Sequence, residues 1–548
     1  MTESSNSLTR RRFLATASLT LGALALRGYP VQAAAQAHFT HGVASGDPLQ
    51  DRVILWTRVL PGSGLEQDIA VQWEVAIDEN FEQIVAQGES STGPERDYTL
   101  KIDATGLQAG AHYFYRFIAQ GEISTIGRTR TLPTAGVESL QMAVLSCSNF
   151  PQGYFNVYRA VAQRDYDVVV HLGDYIYEYG LGGYANPLMA GKGREVRPEH
   201  EIVSLEDYRM RYGLYRSDAD LQLVHQAHPF ICVWDDHEIT NNTWQTGAQN
   251  HNEGEGDFAD RRLAAIQAFY EWLPIRESNS VAEGIIYRSF DFGDLASLIM
   301  LDTRLVGRDE QLSHEMGIDT LRSELAKPAR SIMGSKQERW FDDELRKSKE
   351  SGITWQLIGQ QLLVGKLFPP QFADEVFDPA QREGIVNGRY GMLRTRGRQG
   401  FPLNLDAWDG YPANRERFFD SIRANANNAV VLAGDSHSSW AFDLSDAAGQ
   451  AVAVEFGTPS VTSPGFENFL PLPEQQVEEA TLAASPELKY MKANGRGWVD
   501  LSISTEKTVA TWQFVSTILE TEFTVSSGAT LETYAGEHRI KTYAIAKL

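Results

Sequence analysis

Cysteine is almost absent from this chain: Cys147 and Cys232 are the only two in 548 residues. A disulfide framework is thereby excluded, and at most one bridge is possible. Long apolar runs are missing too. The longest, Ala15 to Leu26, holds about 12 residues where a bilayer span needs ~20, so no stable membrane anchor is expected. Positive charge is scarce, with 49 Lys and Arg against 72 Asp and Glu and a net charge of −23. Such a surface repels nucleic acid and anionic membranes, and no specific nucleic-acid partner is expected. No internal repeat or low-complexity tract appears, and 42% hydrophobic with 22% charged residues describes an ordinary globular chain.

Four arginines, Arg10, Arg11, Arg12 and Arg27, stand near the start against a single acid, Glu3. Thr9-Arg-Arg-Arg-Phe-Leu14, the apolar stretch to Leu26 and small residues around Val31-Gln-Ala33 and Ala35-Gln-Ala37 read as a twin-arginine signal over residues 1–37. The implied partner is the twin-arginine translocase, and the implied location is the periplasm or beyond. The mature chain is expected to act as a monomer.

From His38 to Gly136 the pattern is alternation, in Val53–Arg58, Ile69–Ala76, Tyr98–Ile102 and His112–Ile118, which predicts a small antiparallel sandwich. Leu107-Gln-Ala-Gly-Ala-His-Tyr-Phe-Tyr-Arg116 resembles the corner of a fibronectin III or immunoglobulin-like domain. From residue 137 to 548 short β-branched runs alternate with helical segments, the grammar of an α/β domain. Asp257–Trp272 and Ser335–Lys349 have helical composition, the latter with Ser335 and Glu338 spaced as a capping box. Gly180–Arg197 and Phe368–Tyr411 are expected as loops around a site, and Gly497–Phe514 as strands closing a sheet edge.

In open α/β sheets the crevice lies beyond the carboxyl ends of the strands. The residues there are Cys147, Asp174, Asp235 and Asp236, Asp302, Gln360 and Asp435. A lone aspartate after a strand is usually a turn-maker. Here Gly173-Asp174, Trp234-Asp-Asp-His-Glu238 and Gly434-Asp-Ser-His437 repeat the arrangement three times, which predicts convergence on a metal. Cys232, inside its apolar run, reads as core. A Cys147–Cys232 bridge is not expected.

These blocks resemble the metallophosphoesterase superfamily, with Tyr177 as the third residue after Asp174, Asp236 in the usual asparagine slot and Asp435 in place of a histidine. That variant looks like the PhoD-type alkaline phosphatase and phosphodiesterase family. Ala44-Ser-Gly-Asp-Pro48, Ser146-Cys147, Glu271-Trp-Leu-Pro-Ile-Arg276, Ala407-Trp-Asp-Gly-Tyr411 and Gly434-Asp-Ser-His-Ser-Ser-Trp440 agree with it. The resemblance implies a metallophosphoesterase-like αββα catalytic domain preceded by an all-β fibronectin III or immunoglobulin-like domain. It implies Fe³⁺ and Ca²⁺ as cofactors and small phosphomonoesters or phosphodiesters as substrates. A metal-bound hydroxide would attack phosphorus, with His237 as the catalytic histidine.

Thiolate and phenolate suit a trivalent ion, so Cys147, Asp174, Tyr177 and His437 are expected around iron. Asp236 and Asp435 make a hard oxygen pocket that favours calcium, with Asp174 as the bridge and Asp235 as a candidate for a further calcium. Asn242 is a further oxygen donor, Glu238 is expected to orient His237, and Arg304 to clamp phosphate. Three alternatives stand beside this reading: a phospholipase D-like phosphodiesterase, a calcium-binding adhesin, and an iron–zinc purple acid phosphatase.

Overall fold

The computed structural model describes residues 38–62, 67–277 and 284–541; the signal expected over 1–37 lies outside them. Two large sheets organise the chain. The first has nine strands in the order Val525–Tyr534, Lys507–Val515, Gly497–Ser504, Ser139–Leu145, Val168–His171, Pro229–Cys232, Val43–Gly46, Arg52–Arg58 and Thr99–Thr105. The second has seven: Arg288–Phe292, Ala296–Met300, Trp355–Gly359, Ala429–Ala433, Ala451–Gly457, Ser439–Ser445 and Leu488–Lys492.

Period-2 alternation decides how these sheets pack. Leu298, Met300, Leu357, Val430 and Leu432 point into one core shared with Val144, Val168 and Val170 of the first sheet. Their neighbours Ile299, Leu301, Ile358 and Val431 point the other way. There they meet Phe341 and Leu345 of helix Gly334–Glu350 and Phe418, Phe419 and Ile422 of helix Pro412–Asn425. Each such side chain contributes about 1.5–3 kcal/mol on leaving water. On the first sheet, helix Asn156–Ala162 is tied to Val168–His171 by Tyr158 Oη, 3.0 Å from His171 Nε2. Helix Ala219–Ala227 stacks His225 on Phe230 at 3.9 Å.

The N-terminal segment does build a sandwich, and one of its layers belongs to the large sheet. Val43–Gly46 pairs in parallel with Pro229–Cys232, then antiparallel with Arg52–Arg58, which pairs with Thr99–Thr105. A separate five-stranded sheet carries Ile69–Ala76 and His112–Ala119. Val43, Val53 and Leu55 pack with Val71, Val75, Tyr115 and Phe117 between the layers. At the corner, the Gln108 amide donates to Tyr113 Oη at 2.8 Å, above a buried Leu107.

Two local expectations are corrected. Helix Gly334–Glu350 starts one residue before Ser335, so that serine falls inside the first turn and makes no capping box. Ser331 Oγ accepts from the Gly334 amide instead, and Glu338 pairs with Arg417 at 2.8 Å. Phe368–Tyr411 is no plain loop, because helices Arg382–Asn387 and Arg389–Arg398 lie within it. The alternating stretch after Gly497 gives two strands, and Val525–Tyr534 lies outside them at the sheet edge.

Candidate active site

The strand ends of both sheets meet in one crevice. Strand Ser139–Leu145 leads to Cys147, Val168–His171 to Asp174, Pro229–Cys232 to Asp235–Glu238, and Ala429–Ala433 to Asp435 and His437. Close approach demands glycine at one point: Gly173 has φ +101°, and a Cβ there would lie 2.5 Å from Cβ and N of Asp235. More than half of the strained backbone positions fall in this crevice. Of eleven non-glycine residues at positive φ among the described residues, six are Cys147, Asp174, Tyr184, Asn242, Asp435 and His437. Each costs roughly 1–3 kcal/mol, which a fold sustains mainly where geometry serves function.

Three groups of side chains converge closely enough to hold a cation: Cys147, Asp174 and His437; Asp174, Asp236 and His237; and Asp235, Asp236 and Asp435. Tyr177 joins the first. Its hydroxyl donates to Asp174 Oδ2 at 2.9 Å, accepts from Ser463 Oγ at 2.7 Å and lies 3.3 Å from His437 Nε2. The Pro464 carbonyl, which can only accept, lies 2.9 Å from His437 Nδ1. Nδ1 therefore carries the hydrogen and Nε2 faces the crevice with a lone pair. Burial keeps this imidazole neutral, pushed down to about 3.

Glu178, one residue beyond the first block, escaped the sequence reading, although its adjacency to Tyr177 was a usable signal. Its Oε2 lies 2.6 Å from His237 Nδ1. Burial alone would lower the histidine, but Glu178, Asp236 and Asp174 together raise it well above its ordinary value. These carboxylates favour the charged form of His237, whose ring lies tilted by 30° with its centroid 4.2 Å from that of Tyr177. The expected role of Glu238 is corrected accordingly. Its carboxylate binds the amides of Asp174 (3.1 Å), Tyr175 (2.5 Å) and Asp235 (2.7 Å), so it locks two site loops together and leaves His237 to Glu178.

Arg304 is also corrected. It is fully buried, with Nε on Asp235, Nη1 on Asp406 at 2.9 Å and Nη2 on Asp435 at 3.3 Å and near Asp236 at 3.7 Å. Four carboxylates occupy its guanidinium, so it organises the acids and has no face left for phosphate. Asp236 also accepts from the backbone of His237 and Asn242 at 3.0 and 2.6 Å, so Asn242 meets the site through its amide. Asp302 accepts from the Arg304 and Leu305 amides, both at 2.8 Å, as a turn-maker. Both cysteines are free and buried.

A cavity of about 810 Å³ opens onto Asp435 and His437, walled partly by Leu403, Asp406 and Met392 of the 368–411 segment. The model of the PhoD-like phosphatase family matches residues 142–512, and that of the PhoD-like phosphatase N-terminal domain matches residues 24–133. The chain belongs to the PhoD-like phosphatase family. It is 34% identical to alkaline phosphatase D of Bacillus subtilis strain 168 over 551 residues, covering 96% of this chain and 87% of that protein. A solved structure of PhoD superposes with a TM-score of 0.77 at 33% identity, over 93% of each chain. The protein is therefore an enzyme, a phosphoric ester hydrolase, and the adhesin reading falls away. No helix among the described residues is long and apolar enough to cross a membrane.

Proposed function

We propose that this crevice is the site of a metal-dependent, exported phosphatase acting on small phosphate esters, on a metallophosphoesterase-like αββα core. The N-terminal layer pair, with its Tyr113 corner, is read as the fibronectin III-like domain. The observation that carries the proposal is the linkage of the groups: Asp174 lies close to Cys147 and His437 on one side and to Asp236 on the other, and Asp236 in turn to Asp235 and Asp435.

The residues fit cations. Asp174 Oδ1 and Asp235 Oδ2 are buried without a hydrogen-bond partner, a costly state that a metal relieves. Burial, then in Asp174 repulsion from its acidic neighbours, raises that carboxyl and Asp235 well above the usual carboxylate range, and burial raises Asp435 to about 8, against the pull of Arg304 on the latter two. Burial likewise raises the Cys147 thiol and Tyr177 phenol. Cation charge is what allows so many buried acids to ionise together. Cys147, Asp174, Tyr177 and His437 would hold Fe³⁺, and Asp174, Asp235, Asp236 and Asp435 would hold Ca²⁺. Bound there, the cations acidify water and offset charge on phosphoryl oxygens.

The chain supplies the remaining chemistry. Glu178 fixes the His237 ring through Nδ1 and keeps a proton on Nε2, which faces the crevice and protonates the departing alkoxide. Ser463 donates to Tyr177 Oη and so positions that ring, and Glu238 fixes the loops that carry Asp174 and Asp235.

Metal analysis of protein purified without added metals tests the cofactors: iron with calcium supports them, and iron with zinc or manganese overturns them. Asp174→Ala should abolish ester hydrolysis with an unchanged circular dichroism spectrum, whereas retained hydrolysis would place the chemistry elsewhere.

A further inference from the structure

Tyr184 lies in the Gly180–Arg197 segment and is held over the site in a conformation that its own chemistry disfavours. Its φ is +48°, in the left-handed region that residues with a Cβ enter at a cost. Two side-chain amides secure it there: Asn149 Nδ2 and Gln152 Nε2 both donate to the Tyr184 carbonyl, at 3.0 and 2.7 Å. Both donors are buried. The ring then packs 5.9 Å from Tyr177, 5.8 Å from Tyr179 and, stacked, 6.3 Å from His437.

The hydroxyl of this placed ring has an unspent proton. Tyr184 Oη lies 3.3 Å from His437 Nδ1. That nitrogen already carries a hydrogen directed at the Pro464 carbonyl, so it has no lone pair in the ring plane to accept another. Tyr184 can accept from Nδ1 but cannot donate to it, and among the described residues its hydroxyl has no other partner. A half-buried O–H donor therefore stands beside His437 at the edge of the crevice, with strain and two clamps spent on keeping it there.

We infer that Tyr184 is a substrate-binding residue that donates a hydrogen bond to a phosphoryl oxygen of the ester, and that Asn149 and Gln152 are its positioning residues. The inference rests on the crevice being the phosphatase site. A neutral donor suits this place. It adds no cation to the set already compensating the carboxylates, and it binds substrate and inorganic phosphate product alike.

The test is Tyr184→Phe in the metal-loaded enzyme, read by calorimetric titration with inorganic phosphate and by steady-state kinetics on a phosphomonoester. A lost hydrogen bond to a charged group predicts a Kd for phosphate and a KM each raised roughly 10- to 100-fold, with melting temperature and metal content unchanged. Gln152→Leu should weaken phosphate binding in the same direction and by less, because the hydroxyl remains while its support is lost. Tyr184→Phe binding phosphate like the parent would overturn the inference. Loss of metal from that variant would overturn it as well, by making Tyr184 part of the setting of His437. Its failure is distinct from failure of the functional reading: the latter shows as Asp174→Ala retaining hydrolysis, the former as normal phosphate affinity in Tyr184→Phe while Asp174→Ala is inactive.

Discussion

The carboxylate of Glu178 and the imidazole of His237 meet at 2.6 Å, both buried. The contact fixes the ring through Nδ1 and favours its charged form. Burial works against the charged form of Glu178, but His237 and the Asn241 amide hold it below its usual range.

Glu178→Gln keeps an acceptor for Nδ1 and removes the charge. Since Glu178 raises the His237 proton affinity, its loss must lower it, and the acid form of His237 disappears at lower pH. The alkaline limb of the kcat profile should move toward neutrality, and kcat at high pH should fall by roughly 10²–10⁴-fold, the scale of general acid catalysis. An unshifted limb would remove His237 from the proton-donor role.

Tyr177→Phe tests the iron assignment by colour. Phenolate and thiolate bound to ferric iron give charge-transfer absorption, so the parent protein should be coloured and the variant weaker or shifted. The substitution also strips Asp174 Oδ2 and Ser463 Oγ of the partner they hold at 2.9 and 2.7 Å. An unchanged spectrum in a protein that contains iron would exclude Tyr177 as a ligand.

Much of this site was legible because strand ends and metal chemistry both leave marks on short stretches. Val168–His171 and Ala429–Ala433 are apolar runs that stop at Gly-Asp, and their convergence followed from the crevice rule. Asp174, Asp235, Asp236, Asp435 and His437 came together accordingly. What stayed hidden depended on geometry that no run reports. The Val43–Gly46 strand is short and lies beside Pro229–Cys232 across nearly two hundred residues, so its membership of the large sheet has no local signature. On sequence alone Arg304 is expected to clamp phosphate, and only its burial places it among four carboxylates. Glu238 and Glu178 are both near His237 in the chain or the blocks, and only the fold decides which carboxylate faces the ring.

Arg304→Met should expose how the acids are balanced. The arginine is fully buried between Asp235, Asp406 and Asp435. Removing one partner from a buried ion network costs about 3–5 kcal/mol, because the carboxylates left behind have no counter-charge. On the proposed assignment, bound calcium would supply that charge. Thermal melts should show a large destabilisation in the presence of chelator that added calcium substantially recovers. A variant whose melting temperature is low and indifferent to calcium would separate these carboxylates from the cation site.

A last prediction concerns the floor of the cavity, where Val364 to Leu367 run with their amides held by carboxylates. Glu455 accepts from Val364 and Gly365, each at 2.8 Å, Glu487 from Lys366 at 2.9 Å, and Asp409 from Leu367 at 3.0 Å. Burial nevertheless raises Glu455 to about 8 and Asp409 to about 7. Both acids bind a proton more tightly in the folded chain than in the unfolded one. Their contribution to stability is therefore complete below the ordinary carboxylate range and is lost as pH rises through about 7 and then about 8. Melting temperature should decline across that window. Glu455→Gln cannot ionise, so although it supplies one good acceptor where two amides need one, its melting temperature should depend less steeply on pH than that of the parent. Parallel slopes for the two proteins would show that Glu455 does not take up its proton in this range, and that the two amides hold it as a carboxylate throughout.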